Sequence, residues 1–162
     1  MRAALDRLEA KLLATPVALA RSAWPRPLVF TNGVFDVLHR GHVAYLTQAR
    51  ALGAALLVAV NSDASARRLG KGTGRPLNGE RDRALVLAGL AAVDHVMLFD
   101  EATPCAVIER IRPDVYVKGG DYDMTRLAEA VLVRSWGGSA LAIAFVEGYS
   151  TTRLVERIRG DG

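Results

Sequence analysis

The sequence predicts a doubly wound α/β domain, a five-stranded parallel sheet with helices on both faces. Three observations carry that expectation. Apolar runs of strand length, such as 28–30 and 54–60, alternate with stretches whose apolar residues recur at helical spacing. The runs are unbroken rather than alternating, as strands covered on both faces read. Polar clusters follow them directly, at Asn32-Gly33, Asn61-Ser62-Asp63, Lys118-Gly119-Gly120-Asp121 and Glu147-Gly148. All four therefore fall at the carboxyl ends of strands, where open α/β sheets place their ligands. Chance would scatter them to both ends.

Residues 2–21 read as helical, because Leu5, Leu8 and Leu12 line one stripe and charges take the other faces. Pro25 and Pro27 end that pattern. Residues 1–26 are thus set apart as an N-terminal helical arm for packing or oligomer contact, and 27–162 as the domain that carries the chemistry. The first strand runs from Leu28 into Thr31-Asn32-Gly33, where glycine permits a tight turn. His39 and His42 follow, and then Val43, Leu46 and Ala49 at helical spacing. A second strand covers 54–60. The stretch from Arg67 to Pro76, rich in glycine and basic residues, reads as a loop and a candidate lid over 70–76. A helix over 80–90 leads to a third strand over 93–99. Thr103-Pro104 opens a helix with Val107, Ile108 and Ile111 on its apolar face. A fourth strand covers 115–117, and a helix over 126–136 stops at Gly137-Gly138. A fifth strand over 141–146 precedes a last helix carrying Leu154, Val155 and Ile158.

Composition narrows the class. A chain of 162 residues builds one domain with a full core. The single cysteine, Cys105, excludes an internal disulfide and a multi-cysteine metal site, and suits a reducing cytoplasm. No apolar run is long enough to span a bilayer, so no membrane role is expected. Asp6, Arg7, Glu9 and Lys11 interrupt what a signal peptide would need as its apolar core. The net charge of +4 fits a cationic cleft for a small anion. No nucleic-acid partner is expected, since no lysine-arginine block, zinc-finger spacing or aromatic RNP pattern is present.

The chemistry gathers after the first strand, where a glycine turn delivers two imidazoles to the mouth of a helix. A helix N-terminus carries unpaired N–H groups and a partial positive charge, which make it a seat for phosphate. Zinc ligation by His39 and His42 is the competing reading, but a helical zinc pair uses i, i+4 spacing and a third ligand. The remaining histidine, His95, lies within the third strand, so no metal site is expected. Imidazole N–H groups can donate to phosphate oxygens and stabilise charge that grows in a transition state.

The run Phe35-Asp36-Val37-Leu38-His39-Arg40-Gly41-His42 resembles the H-x-G-H signature of the cytidylyltransferase-like nucleotidyltransferases. Val58 to Asp63, Val117 to Tyr122 and Glu147 to Thr152 match that family's further motifs in order. Together they are most similar to its heptose 1-phosphate adenylyltransferase branch, over about Pro27 to Arg159. The resemblance implies a Rossmann-like H-x-G-H nucleotidyltransferase fold. It also implies transfer of AMP from ATP to D-glycero-β-D-manno-heptose 1-phosphate, giving ADP-heptose and pyrophosphate for lipopolysaccharide core synthesis. The sugar phosphate would attack the α-phosphorus directly, with no protein nucleophile.

Site roles follow from the same resemblance. His39 and His42 would contact the α- and β-phosphates, and Lys71 and Arg83 would neutralise the triphosphate or the leaving pyrophosphate. Asn32, Gly33 and Phe35 would form the turn beneath the phosphates. Ser150, Thr151 and Thr152 would hold the β,γ-phosphates, a plain N-cap being their alternative reading. Lys118, Gly119, Asp121, Glu147 and Gly148 would complete the nucleotide site. Asp36, Asn61 and Arg75 are the candidates for the sugar phosphate, Asp36 by orienting either the acceptor or Arg40. Mg²⁺ is expected with ATP, without a nominated protein ligand. A separate heptose kinase would supply the sugar phosphate, and a homodimer is expected as the commonest assembly.

Two departures qualify the resemblance. Phe145 to Thr151 lacks the arginine of the R-T-E-G-I-S-T motif found in glycerol-phosphate cytidylyltransferases, which favours the heptose branch. Ala128 and Val131 stand where that branch carries a proline and an acidic residue. The alternatives are a cytidylyltransferase acting on glycerol 3-phosphate or a similar phospho-alcohol, and a non-catalytic nucleotide-binding module.

Overall fold

The computed structural model describes residues 2–13, 24–70 and 74–160. In chain order these form α1 (Arg2–Glu9), β1 (Leu12–Leu13), β2 (Leu28–Gly33), α2 (Arg40–Arg50), β3 (Ala55–Asn61), α3 (Asp63–Arg68) and α4 (Glu80–Ala88). There follow β4 (His95–Phe99), α5 (Cys105–Ile111), β5 (Val115–Gly119), α6 (Ala128–Arg134), β6 (Ser139–Ile143) and α7 (Thr151–Arg159). All the strands are parallel, in the order β1-β4-β3-β2-β5-β6.

Successive residues of the central strands alternate between two cores, which is why the strands read as unbroken apolar runs. Leu28, Phe30, Leu57, Met97 and Tyr116 point to the side covered by α5 and α6, where Ile108, Ile111 and Val133 meet them. Val29, Leu56, Val58, Val96 and Val117 point to the side of α2 and α4 and pack on Leu46, Ala49 and Leu87. The strand order reverses at β2, whose neighbours are β3 and β5. A crevice therefore opens beyond the carboxyl ends of β2 and β5, where Asn32-Gly33 and Lys118-Gly119 lie.

Among the described residues the sheet has six strands rather than five. The additional strand, β1, comes from the expected helical arm and pairs Leu12 with Val96 and Leu13 with Met97. The helical stripe counted Leu12 with Leu5 and Leu8, yet α1 ends at Glu9 and buries none of its residues. A helix without a buried face gains little from packing, whereas the open edge of β4 offers backbone partners. Lys11 anchors the crossing by donating to the carbonyls of Ala88, at 2.9 Å, and Val93, at 2.8 Å. The rest of that helical expectation, over 14–21, lies outside the described residues.

Other element boundaries also differ by a few residues, at α3 and the last strand among them. Arg67 and Arg68, expected in a loop, lie in α3, which Ser62 caps by accepting from the Ser65 N–H at 3.0 Å. The last strand begins at Ser139 and ends at Ile143, in register with β5 from Val115 to Gly119. Residues 144–150 are thereby released to form the approach to α7. Among the described residues, no helix is long and apolar enough to cross a membrane.

Candidate active site

At the end of β2 the backbone reverses through Phe35, which takes a left-handed conformation with φ +49°. A bulky residue tolerates that region only where the surroundings fix it. Here the Phe35 ring folds back over Gly33, so close that a Cβ on Gly33 would lie 3.0 Å from it. The same ring meets His42 edge-on at a centroid distance of 5.5 Å. This turn sets where α2 begins.

His39 is the N-cap of α2 and His42 lies on its first turn. The two stand in capping-box positions. The His39 backbone N–H donates to His42 Nδ1 at 3.4 Å, while His39 Nδ1 is buried and makes no hydrogen bond. The imidazoles stack at 3.9 Å with 27° between their planes. Burial lowers the His39 pKa from its ordinary 6.5, so the ring is neutral at pH 7 and keeps one N–H to donate.

The opening turn of α7 faces the same space. Ser150 caps it by accepting from the Arg153 N–H at 3.1 Å, and Thr151 Oγ1 donates to the Val37 carbonyl at 3.1 Å. The second bond ties α7 to the turn between β2 and α2. The result is a cavity of about 270 Å³ whose walls include Phe35, Asp36, His39, His42, Arg75, Ser150, Thr151 and Thr152. A smaller hollow, of about 150 Å³, adjoins it across Phe35, His42 and Phe145, and is lined by Asn32, Gly33, Lys118, Gly119 and Tyr122. Asn32 Oδ1 accepts there from Tyr116 Oη at 3.0 Å and from Lys118 Nζ at 3.3 Å. Burial pushes the Tyr116 phenol far above its usual range, with Glu129 reinforcing the shift, so the hydroxyl stays protonated and donates. His42 thus stands in the wall shared by both spaces.

Several predicted residues do other work. Arg83, expected to face a triphosphate, is only 2% exposed. Its guanidinium donates to the carbonyls of Asn78 at 3.0 Å, Val34 at 2.5 Å and Asn61 at 2.9 Å, and pairs with Asp63 at 2.7 Å. It braces the ends of β2 and β3 from inside. Both carboxylate oxygens of Asp36 have partners, and Arg40 is not among them. One of its carboxylate oxygens accepts from the backbone N–H groups of Leu77 at 2.7 Å and Asn78 at 3.0 Å, and the other pairs with Arg75 at 2.9 Å. Arg75 therefore reaches the cavity as half of an ion pair. Asn61, offered for the sugar phosphate, is buried and donates to Ser65 Oγ at 3.0 Å. Asp121 and Glu147 are exposed and line neither space, and Gly148 opens onto an outer groove of about 250 Å³ beside Arg153 and Arg157. Lys71 lies outside the described residues.

The structure adds Tyr122, Phe145 and Tyr149 to the walls. Tyr122 and Tyr149 stand inside the quoted motifs, next to Asp121 and Gly148. Their position beside polar turns was the available signal. Among the described residues, no group of three or more His, Cys, Asp or Glu side chains is placed to hold a metal ion.

The family model described as cytidylyltransferase-like matches residues 30–157. A D-beta-D-heptose 1-phosphate adenylyltransferase from Bordetella bronchiseptica is 58% identical over 94% of this chain and 96% of its own length. The bifunctional protein HldE of Pseudomonas savastanoi pv. phaseolicola is 52% identical over 96% of this chain, which spans 32% of that longer relative. Among solved structures, a lipopolysaccharide core biosynthesis protein from Thermoplasma volcanium superimposes with a TM-score of 0.60 at 30% identity, covering 76% of this chain and 98% of its own. Pantothenate synthetase from Thermus thermophilus, at 20% identity and a TM-score of 0.52, shares the fold; 84% of this chain and 62% of that one are covered.

Proposed function

We infer the activity from one premise: this chain belongs to the cytidylyltransferase-like family, whose model covers residues 30–157. It is a nucleotidyltransferase that moves AMP from ATP to heptose 1-phosphate, releasing pyrophosphate and forming ADP-heptose for lipopolysaccharide synthesis. The observation that carries this reading is the shared cavity, with two stacked imidazoles on one wall and the opening turn of α7 on another. The similarity to the Bordetella bronchiseptica adenylyltransferase supports ATP and heptose 1-phosphate as the substrates.

The chemistry asks little covalent work of the protein. An oxygen of the sugar phosphate attacks the α-phosphorus, and the bond to the bridging oxygen of pyrophosphate breaks in line with it. His39 and His42 would donate N–H bonds to the α- and β-phosphate oxygens and meet the charge that grows there. The N–H groups of Ser150, Thr151 and Thr152, with the Ser150 and Thr152 hydroxyls, would hold the β,γ-phosphates at the positive end of α7. Asn32, Gly33 and Phe35 would form the floor, with Lys118 and Gly119 flanking the nucleotide from β5. Asp121, Glu147 and Gly148 would reach it only from the rim.

Magnesium would enter as part of the nucleotide. Asp36 is the carboxylate in the cavity wall among the described residues, and both of its oxygens are engaged. Phosphate oxygens and water would supply its ligands. The reading places the enzyme in the cytoplasm, beside a separate kinase that makes its sugar phosphate, and as a homodimer that light scattering would detect.

The deciding experiment follows pyrophosphate release with ATP or CTP paired with heptose 1-phosphate or glycerol 3-phosphate. Turnover is expected for ATP with heptose 1-phosphate. Turnover with CTP and not ATP would overturn the assignment.

A further inference from the structure

His39 lacks the usual device that orients a working imidazole. A ring acting through one nitrogen is commonly held by a hydrogen bond to the other. Here Nδ1 is buried and makes none, so Nε2 is the nitrogen left for a ligand. What touches the ring is aromatic. His42 stacks on it at 3.9 Å, and Tyr149 lies nearly parallel to it, with centroids 6.3 Å apart and 29° between the planes.

Tyr149 is itself braced. The Arg40 guanidinium sits 5.7 Å from the centre of its ring, and Arg40 Nη1 donates to its hydroxyl at 3.4 Å. Gly41 leaves room for both partners: a Cβ there would come within 3.0 Å of the His39 ring and 3.2 Å of Tyr149 Cβ. His39 and Arg40 open α2, whereas Tyr149 belongs to the approach to α7. The contact therefore joins the two segments that bracket the cavity. The Tyr149 ring also stands in the walls of both the cavity and the outer groove.

We propose that Tyr149 is the positioning residue of His39, its ring holding the imidazole so that Nε2 is presented to the cavity. This rests on the functional reading above, because the reacting phosphates are what that nitrogen would meet. The ring does the positioning, since the hydroxyl's bond to Arg40 is long and exposed.

The test compares Tyr149→Ala with Tyr149→Phe, in turnover of ATP with heptose 1-phosphate and in the NMR resonance of the His39 Cε1–H in the protein alone. In Tyr149→Ala, kcat is expected to fall about tenfold, the scale of one aromatic contact. The KM for ATP should change less than about threefold. The His39 resonance should move toward its position in an unfolded peptide. Tyr149→Phe should restore most of the rate and the native resonance. A Tyr149→Ala variant in which neither readout moves, or only one does, overturns the proposal, as does a failure of Tyr149→Phe to restore both. If the native chain does not turn over these substrates, the functional reading falls, and the resonance still decides whether Tyr149 orients His39.

Discussion

Replacing Arg83 separates a structural brace from a phosphate ligand. Arg83→Met keeps the length and apolar stem of the side chain but removes every donor. The carbonyls of Val34, Asn61 and Asn78 then lose their partner, and Asp63 loses its cation. Removing one member of a buried ion pair costs about 3–5 kcal/mol. The Asp63 side chain is 28% exposed, so water relieves part of that loss, and about 3 kcal/mol is expected. For a domain of this size that corresponds to a fall in Tm of about 10 °C. Arg83→Lys restores the charge but not the planar fork that reaches several acceptors at once, and should recover only part of the stability. The assay is thermal unfolding followed by circular dichroism, paired with ATP kinetics well below the transition. The KM for ATP should stay near its native value in the folded variant. Native stability combined with a large rise in that KM would show that Arg83 meets the nucleotide, and the brace would be refuted.

Removing the imidazoles one at a time, as His39→Ala and His42→Ala, should each lower kcat by roughly a hundredfold with a smaller loss of ATP affinity, as for other preorganised donors; rates equal to the native enzyme would remove the proposed chemistry. Burial holds His95 below its ordinary pKa of 6.5, against the pull of Asp94 and with the help of Lys11. The unfolded chain therefore binds the proton first as the pH falls, and unfolding free energy should drop from about pH 6.5 downward. His39 acts in the same direction. Urea unfolding of His95→Phe should show a flatter dependence between about pH 7.5 and about pH 5.5, and an unchanged slope would reject the linkage. Asp36→Asn removes a charged acceptor from the N–H groups of Leu77 and Asn78 and an ion-pair partner from Arg75. Amide exchange at Leu77 and Asn78 should quicken by about tenfold or more, and unchanged exchange would show that Asp36 does not hold this loop.

What was legible in the sequence was what depends on neighbours along the chain. The central strands declared themselves because residues such as Val29 and Phe30 must each be apolar to serve opposite cores. The polar clusters after them marked the crevice, since a parallel sheet brings its carboxyl ends to one rim. Less legible was whatever depends on a distant partner. Asp36 meets residues 75–78 across a separation of 39 to 42 positions, and Arg83 reaches Val34 across 49. A charged side chain carries no local mark of such a partner, so both read as ligand contacts. Leu12 failed for a related reason: its helical stripe was real, but the edge of β4 competed for the backbone and won.

Gly41 shows how close the two kinds of information can lie. Its place between the histidines is evident from spacing alone, which assigns it no role of its own. The structure supplies one. At Gly41 the chain is part of a helix, and what crowds a side chain is the His39 ring on one side and the Tyr149 side chain on the other. The spacing of the motif is thus the sequence trace of a three-body contact, one member of which comes from more than a hundred residues away, in the approach to α7. Gly41 is, in the fold, the place where an imidazole and its aromatic neighbour meet.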